Sequence, residues 1–222
     1  MVIGRSAGPP PISWEACRSH HLSVHRRSSG GGVVLWDFEL VAVDVVLPVD
    51  HPLLTRDVVE AYRWVGEAVA EALQVLGLQV RLIDVDLARA IPTDPLTNTA
   101  CFGSLSPWEV TVDGRKVVGL SQVRRREGAV IQVGIPLGVD VPLLASVIGG
   151  RNDGLAEALG HRMAGVRDVV PSISRNDLVS TTTAALEERL GSRSAVSELR
   201  SSEQAVEADL AATQHAPLSQ SD

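Results

Sequence analysis

The chain has 222 residues, 45% of them hydrophobic, and a formal net charge of -7. This acidic balance argues against general nucleic-acid binding, because no basic surplus exists to neutralise phosphates. No apolar run approaches the roughly 20 residues that a membrane span needs, and the first residues lack the apolar core of a signal peptide. We therefore expect a cytoplasmic protein whose two cysteines, Cys17 and Cys101, are reduced.

The first half of the chain predicts short strands and two helices. Strands are expected where Val, Leu and Ile run between turn residues, at 1–5, 22–27, 33–36, 40–47 and 78–85. A short helix is expected at 14–20. A longer helix is expected after Thr55, its predicted N-cap, because apolar residues recur at helical spacing from Val58 to Leu76 and Gly77 ends the run. Two prolines and several polar residues predict a surface loop at 89–99.

The second half begins with a hairpin signal and ends in a polar tail. Asp113-Gly114 lies between two apolar runs, 108–112 and 116–123, and predicts a tight β-turn between two strands. Another strand is expected at 128–137, and helices at 141–147, 154–159 and 176–190. Residues 191–222 have no sustained apolar face, which predicts a disordered tail after a single domain of residues 1–190. The pattern predicts an α+β protein in the broad α/β group, with helices packed on a mostly antiparallel sheet.

One candidate binding segment is a glycine-rich run that follows two arginines, Arg26-Arg27-Ser28-Ser29-Gly30-Gly31-Gly32. Glycines allow backbone N–H groups to approach an anion, and the arginines supply positive charge beside it. A flexible surface loop is the alternative interpretation of the same run.

A second candidate segment contains Lys116, the only lysine in the sequence; the other 19 basic residues are arginines. A lysine ammonium is compact and can approach one oxygen closely, which a forked guanidinium does less well. Lys116 begins the second strand of the predicted hairpin, and Gly119, Ser121 and Gln122 follow it. The alternative is that Lys116 is a solvated residue of the hairpin.

Together the two segments resemble the lipoate–protein ligase A and octanoyltransferase family, of the biotin/lipoate protein ligase superfamily. Its hallmarks are Arg-Arg-x-Ser-Gly-Gly-Gly before a strand and, downstream, Gly-Arg/Lys-Lys-apolar-apolar-Gly-Ser-Ala-Gln. Residues 26–32 match the first in full, and residues 114–122 match the second except at Leu120 and Ser121. Ala100-Cys101-Phe102 resembles the Cys-Phe of the single-domain octanoyltransferase branch. The resemblance runs from about Met1 to Leu190.

The resemblance implies transfer or ligation of a lipoyl or octanoyl group onto a lysine of an acceptor. That acceptor would be a lipoyl domain or a glycine-cleavage H-type protein, with an acyl carrier protein as a candidate donor. ATP with Mg would be required only by a ligase. Lys116 would meet the acyl carbonyl or acyl-phosphate oxygen. Cys101 would carry the acyl group as a thioester, with Lys116 favouring its thiolate. The resemblance assigns substrate binding to Arg26, Arg27, Ser29, Gly30, Gly31, Gly32, Gly119, Ser121 and Gln122.

The chain departs from the family pattern at two places. Trp36-Asp37 stands where His-Asp is common, and Val133-Gly134-Ile135 stands where His-Gly-Ser is common, so two polar groups of the expected pocket are lost. The helix that normally precedes the family's first long strand is expected to be missing. The departures leave open a non-catalytic relative that binds an acyl group or an acyl carrier. A biotin–protein ligase is a further alternative, although its glycine loop normally has Gly-Arg-Gly-Arg character.

Two other clusters have simpler interpretations. Cys17, His20, His21 and His25 have spacings that could hold a metal, but no second ligand pair follows, so no metal site is expected. The arginine run 124–126 is either a solvated hairpin turn or a docking point for an acidic partner.

Overall fold

The computed structural model describes residues 1–5, 12–148, 154–213 and 216–219. The strands are β1 (Val2–Ile3), β2 (His25–Arg26), β3 (Leu40–Pro48), β4 (Val80–Leu82), β5 (Val110–Val112), β6 (Arg115–Arg124) and β7 (Gly128–Pro136). The α-helices are α1 (Trp14–Ser19), α2 (Arg63–Val75), α3 (Val85–Ala90), α4 (Val141–Val147), α5 (Leu155–Gly160), α6 (Arg175–Leu190) and α7 (Ser201–Ala212). Short 3₁₀ turns lie at Glu60–Tyr62, Cys101–Gly103 and Val166–Asp168.

A five-stranded sheet forms the centre of the molecule, in the order β3-β7-β6-β5-β4, and all its neighbouring strands are antiparallel. The predicted turn between β5 and β6 is confirmed: Asp113 has φ 49° and Gly114 has φ 75°. Positive φ at both central residues is the geometry that Asp-Gly favours in a two-residue hairpin. Strands β1 and β2 form a separate parallel pair. The predicted fold class, a mostly antiparallel sheet with packed helices, is confirmed.

Each face of the sheet is covered by its own hydrophobic core. The main core joins one face to α2 and α6 and includes Val133 and Leu178. The second core lies between the other face and the N-terminal segments, α4 and α5, and includes Phe102. Gly119 of β6 pairs with Gly134 of β7 on this second side, and a methyl group on them would lie 3.3 and 3.6 Å from Phe102 Cζ. The glycine pair therefore lets the Phe102 ring lie close to the sheet.

The entry to α2 differs from the prediction. Thr55 is not its N-cap; instead the Thr55 hydroxyl donates to the Asp57 carbonyl at 2.9 Å. Asp57 Oδ1 accepts the N–H groups of Val59 and Glu60 at 2.8 and 3.1 Å, which opens a 3₁₀ turn before α2. The aspartate side chain competes for the first N–H groups, so the apolar periodicity from Val58 begins before the helix does.

Two predicted irregular segments contain helices. The loop predicted at 89–99 overlaps the end of α3, whose N-cap Asp84 accepts the Leu87 N–H at 2.7 Å. Within the tail expected to be disordered, Ser201–Ala212 forms α7, and no residue of this helix is buried. Ala, Glu and Gln favour helix without needing an apolar face, and the Glu203 carboxylate accepts the Arg200 N–H at 2.7 Å. Tail residues 214–215 and 220–222 lie outside the described residues.

Candidate active site

Two cavities meet on the second face of the sheet. The apolar cavity has a volume of about 430 Å³ and is lined by hydrocarbon from Val34, Leu40 and Phe102 and by the backbone of Gly119 and Gly134, among others. The polar cavity is more open, at about 1050 Å³, and is lined by Gly30, Gly31, Gly32, Tyr62, Asn98, Ser104, Ser106, Glu109, Lys116 and Gln122. Cys101, Leu120 and Ser121 line both cavities. A molecule that spans the two would pass the Cys101 thiol.

Cys101 opens a 3₁₀ turn that is held on both sides. Its N–H donates to the Val33 carbonyl at 2.9 Å, which ties the turn to the segment after the glycine loop. At the other end of the turn, the buried Thr97 hydroxyl donates to the Gly103 carbonyl at 3.0 Å. The thiol is partly exposed, in contrast to buried Cys17. The structure therefore presents Cys101 as an accessible side chain on a fixed backbone.

Arg27 joins the glycine loop to the thiol. Its Nη2 donates to the Gly30 carbonyl at 2.7 Å and lies 3.5 Å from Cys101 Sγ. Gly31 has φ 104°, and a methyl group there would lie 2.5 Å from Arg27 Nη2 and 3.3 Å from Cys101 Sγ. Both the backbone angle and the lack of space exclude a side chain. The glycine loop thus wraps around the guanidinium and brings its positive charge to the sulfur.

Lys116 is only 2% exposed, so it is not a solvated hairpin residue. Its Nζ donates to the carbonyl groups of Cys101 at 2.9 Å and Ser104 at 3.1 Å, and it forms an ion pair with Glu109 Oε1 at 2.7 Å. The ammonium also lies 5.2 Å from the centroid of the Phe102 ring. Its contacts are therefore with the backbone that carries Cys101 and with one buried carboxylate.

Glu109 is also buried, and its carboxylate accepts from three donors. Oε1 accepts from Lys116 and from the Leu120 N–H at 3.1 Å, while Oε2 accepts the Ser106 N–H at 2.7 Å. Burial raises the pKa of the Glu109 carboxyl, and the Lys116 ammonium and the two backbone N–H groups oppose that rise. Because every observed partner donates, the geometry is that of a carboxylate.

A chain of polar side chains crosses the sheet along one side of the apolar cavity. The Ser121 hydroxyl lies 3.3 Å from Ser29 Oγ and 3.3 Å from Gln132 Oε1, and Gln132 Nε2 donates to Asp44 Oδ1 at 3.1 Å. The chain links the glycine loop to β6, β7 and β3. Ser29 is 1% exposed, so its role in this structure is to fix the loop on the sheet.

Tyr62 borders the polar cavity from the turn before α2. Burial, together with the nearby Glu109 charge, raises the pKa of Tyr62 to about 12, and Arg124 opposes this. The phenol therefore stays neutral at neutral pH and can serve the cavity as a hydrogen-bond donor.

Comparison with known proteins identifies the family. The model of the lipoyl protein ligase A/B catalytic domain matches residues 1–190. The chain belongs to this family. The resemblance inferred from the two motifs is thereby confirmed.

Individual relatives agree with this assignment. Octanoyltransferase LipM of Geobacillus kaustophilus is 34% identical over 151 residues, which cover 67% of this chain and 53% of the relative. Octanoyltransferase LipM of Kyrpidia tusciae is 29% identical over 86% of this chain and 72% of its own length. The chain spans about half the length of the first curated relatives that it matches. A bipartite lipoate protein ligase of Thermoplasma acidophilum has the same fold, with a TM-score of 0.75 at 20% identity over 96% of this chain and 75% of that one.

Most site residues suggested by the family motifs converge on the cavities. Gly30, Gly31, Gly32 and Gln122 line the polar cavity, Arg27 and Gly119 line the apolar one, and Ser121 lines both. Gln122 Oε1 also accepts from Arg124 Nε at 2.8 Å, which places the first arginine of the run 124–126 beside the polar cavity. Two predicted residues do not line either cavity: Arg26 and Ser29.

The two departures from the family pattern have different consequences in the structure. Trp36 is 47% exposed and borders the apolar cavity, so a bulky apolar group replaces a polar one there. Val133 borders the same cavity but is 2% exposed and packs in the main core. The strand alternation explains this, because Gln132 and Gly134, on either side of Val133, face the cavities. An apolar residue therefore borders the cavity at position 133, and most of its side chain packs in the main core.

Glu109 was not identified as a site residue from the sequence, although it lies in the first predicted strand of the hairpin, 108–112. One signal could have identified it. Glu109 is a single acidic residue directly before β5, and the only lysine of the sequence lies on β6, the strand that pairs with β5. Phe102 was noted only for its resemblance, and Tyr62 only as part of a helical apolar face. Their positions depend on how distant segments meet in the fold.

Over the described ranges, no group of three His, Cys, Asp or Glu side chains could hold a metal ion. In the same part of the chain, no helix combines the length and apolar character that membrane crossing requires.

Proposed function

We propose that this chain is an acyltransferase that moves an octanoyl or lipoyl group onto a lysine of a lipoyl domain through a thioester on Cys101. The observation that carries the proposal is the position of the Cys101 thiol, where the apolar and polar cavities meet. The mainly hydrocarbon lining of the first cavity suits an acyl chain. The second cavity is open enough to admit the donor and acceptor groups in turn.

The reaction has two steps: a thioester exchange that loads Cys101, followed by aminolysis of the enzyme thioester by the acceptor lysine. The Cys101 thiolate attacks the carbonyl carbon of a donor thioester; a new C–S bond forms and the donor's C–S bond breaks. The donor leaves as a thiolate and takes up a proton. The acceptor lysine amine then attacks the same carbon, a C–N bond forms, and Cys101 regains its proton as the enzyme thioester breaks.

Two cations support this chemistry in different ways. The Arg27 guanidinium, 3.5 Å from Sγ, stabilises the thiolate directly. The Lys116 ammonium lies behind the turn and donates to the Cys101 carbonyl at 2.9 Å. In this arrangement Lys116 contributes a fixed positive charge to the site, and contact with an acyl oxygen would require it to exchange one of its present partners.

The relatives support the choice of acceptor, and thioester chemistry supports the choice of donor. The curated relatives are named octanoyltransferases, and the Thermoplasma ligase is described as part of a lipoylation system with its E2 lipoyl domain. We therefore propose a lipoyl domain as acceptor; a glycine-cleavage H-type protein presents the same kind of lysine. An acyl carrier protein is the proposed donor because its thioester supplies the acyl group without ATP.

The intact mass of a lipoyl domain tests this proposal. The domain is incubated with the protein and either octanoyl-acyl carrier protein or lipoate, ATP and Mg. Modification from the carrier alone, lost in Cys101→Ser, supports the thioester transferase. Modification that needs ATP and survives Cys101→Ser would replace it with a ligase. Absence of modification in both arms would favour a relative that binds the acyl group without turnover.

A further inference from the structure

The turn that carries Cys101 is fastened to the sheet by one buried ion pair. Lys116 Nζ reaches the carbonyl groups of Cys101 and Ser104, and Glu109 reaches the Ser106 N–H and the Leu120 N–H. The pair thus makes contacts at both ends of residues 101–106 and at strand β6. The Lys116 and Glu109 side chains are 2% and 3% exposed, although both border the polar cavity.

The hydrogen-bonding capacity of the lysine is filled. An ammonium has three N–H donors, and Lys116 has three oxygen partners within 3.1 Å: the Cys101 carbonyl, the Ser104 carbonyl and Glu109. Of these three partners, Glu109 alone carries a negative charge. Burial disfavours an ammonium that has no counter-ion. The charge beside Cys101 therefore depends on Glu109.

The other ionisable groups around the pair cannot replace that carboxylate. Tyr62 and Cys101 line the polar cavity with it, and Arg27 reaches the thiol from the glycine loop. Tyr62 stays neutral because its pKa is raised to about 12. Arg27 is itself a cation, and Cys101 bears a negative charge only while it is a thiolate.

We propose that Glu109 is a positioning residue of the acyl-transfer site, which holds Lys116 as an ammonium against the Cys101 turn and thereby sets the reactivity of the thiol. The catalytic part of this inference rests on the proposed function, because Glu109 can assist acyl transfer only if Cys101 carries the acyl group. Glu109 touches no reacting atom; it acts through Lys116. Its removal changes both the electrostatics of the thiol and the backbone that presents it.

Alkylation of Cys101 tests this role without a donor or an acceptor, so its outcome is independent of whether acyl transfer occurs. The rate of iodoacetamide modification at Cys101 is measured by peptide mapping across pH, in the wild type, Glu109→Gln and Glu109→Asp. The glutamine variant keeps the shape and removes the charge. We expect the midpoint of its alkylation profile to move up by about 1 pH unit, and the aspartate variant to lie between it and the wild type.

A double variant separates positioning from folding. Glu109→Leu with Lys116→Met replaces the pair by apolar side chains of similar volume, an exchange that often preserves stability. We expect this protein to fold and to show the same upward displacement of the midpoint. A wild-type midpoint in folded Glu109→Gln, or in the folded double variant, would overturn the proposal. If Glu109→Gln does not fold, the double and aspartate variants decide the question.

Discussion

The two cavities that meet at Cys101 are built by opposite means. The apolar cavity depends on the absence of side chains at Gly119 and Gly134, where a methyl group would contact the Phe102 ring. The polar cavity is shaped by contacts, since Lys116 and Glu109 each bind two backbone groups and Arg27 binds the Gly30 carbonyl. The difference shows how one strand, β6, contributes both to the lining of the apolar cavity and to the charged support of a nucleophile.

The largest expected effect comes from replacing Cys101, the residue at which the two cavities meet. Cys101→Ser keeps the size of the side chain and removes the thiolate, so we expect acyl transfer to fall by about 10³-fold or more. Rates of octanoyl transfer to a lipoyl domain measure this effect. Cys17→Ser is the matched control, because Cys17 is buried away from both cavities and should retain transfer. Similar losses in the two variants would contradict the assignment of Cys101.

Filling the apolar cavity should have the next largest effect. A methyl group at Gly119 would lie 3.3 Å from Phe102 Cζ and 3.4 Å from Lys116 Cε, so Gly119→Ala narrows the space for an acyl chain. We expect kcat/KM for an octanoyl donor to fall about 10-fold, with a smaller loss for a butyryl donor. Gly160→Ala is the control, since a methyl group there meets nothing within 4 Å. An equal loss of kcat/KM for the octanoyl and butyryl donors would show that Gly119 does not determine the acyl chain length.

A weaker effect is expected where both cavities share a hydroxyl. Ser121→Ala removes two hydrogen bonds of 3.3 Å, to Ser29 and Gln132. Long, neutral hydrogen bonds contribute little, so we expect kcat/KM to fall about threefold. Steady-state kinetics with wild-type protein alongside would measure the change. A loss as large as that of Cys101→Ser would mean that Ser121 takes part in the chemistry.

The smallest effect concerns stability at high pH. The pKa of Tyr62 is about 12 in the folded protein and about 10 in an unfolded chain. The folded state thus holds the phenol proton more tightly, and its contribution to stability is complete below about pH 10 and is lost as the pH rises towards 12. Tyr62→Phe should therefore flatten the decline in Tm between pH 10 and 12. A thermal unfolding series would show this; parallel curves for both proteins would refute it.

Local sequence patterns predicted the parts of the fold that depend on neighbouring residues. The Asp113-Gly114 turn was predictable because two positive φ angles favour those residues. Helix α4 was predicted with the same bounds that the structure shows, Val141–Val147. The beginning of α2 was not predictable from its apolar period, because Asp57 takes the first N–H groups. Helix α7 was missed because it forms on propensity without burying a face.

The candidate site was predictable only as far as its motifs reach. Lys116 and Cys101 were identified as separate residues, and their contact through the Cys101 carbonyl depends on how the turn packs on β6. Glu109 gained its importance from the same packing. Val133 does border the apolar cavity, but its packing in the main core was not predictable, because the motif alone does not fix which side of β7 each residue faces. The register against β3 and β6 determines that side.

The covalent state of Cys101 tests the central claim most directly. The protein is incubated with octanoyl-acyl carrier protein in the absence of an acceptor, and its intact mass and peptides are analysed. The account predicts one octanoyl adduct, located on the Cys101 peptide, which disappears when a lipoyl domain is added. A lipoyl domain that becomes octanoylated while Cys101 carries no adduct at any time would contradict it.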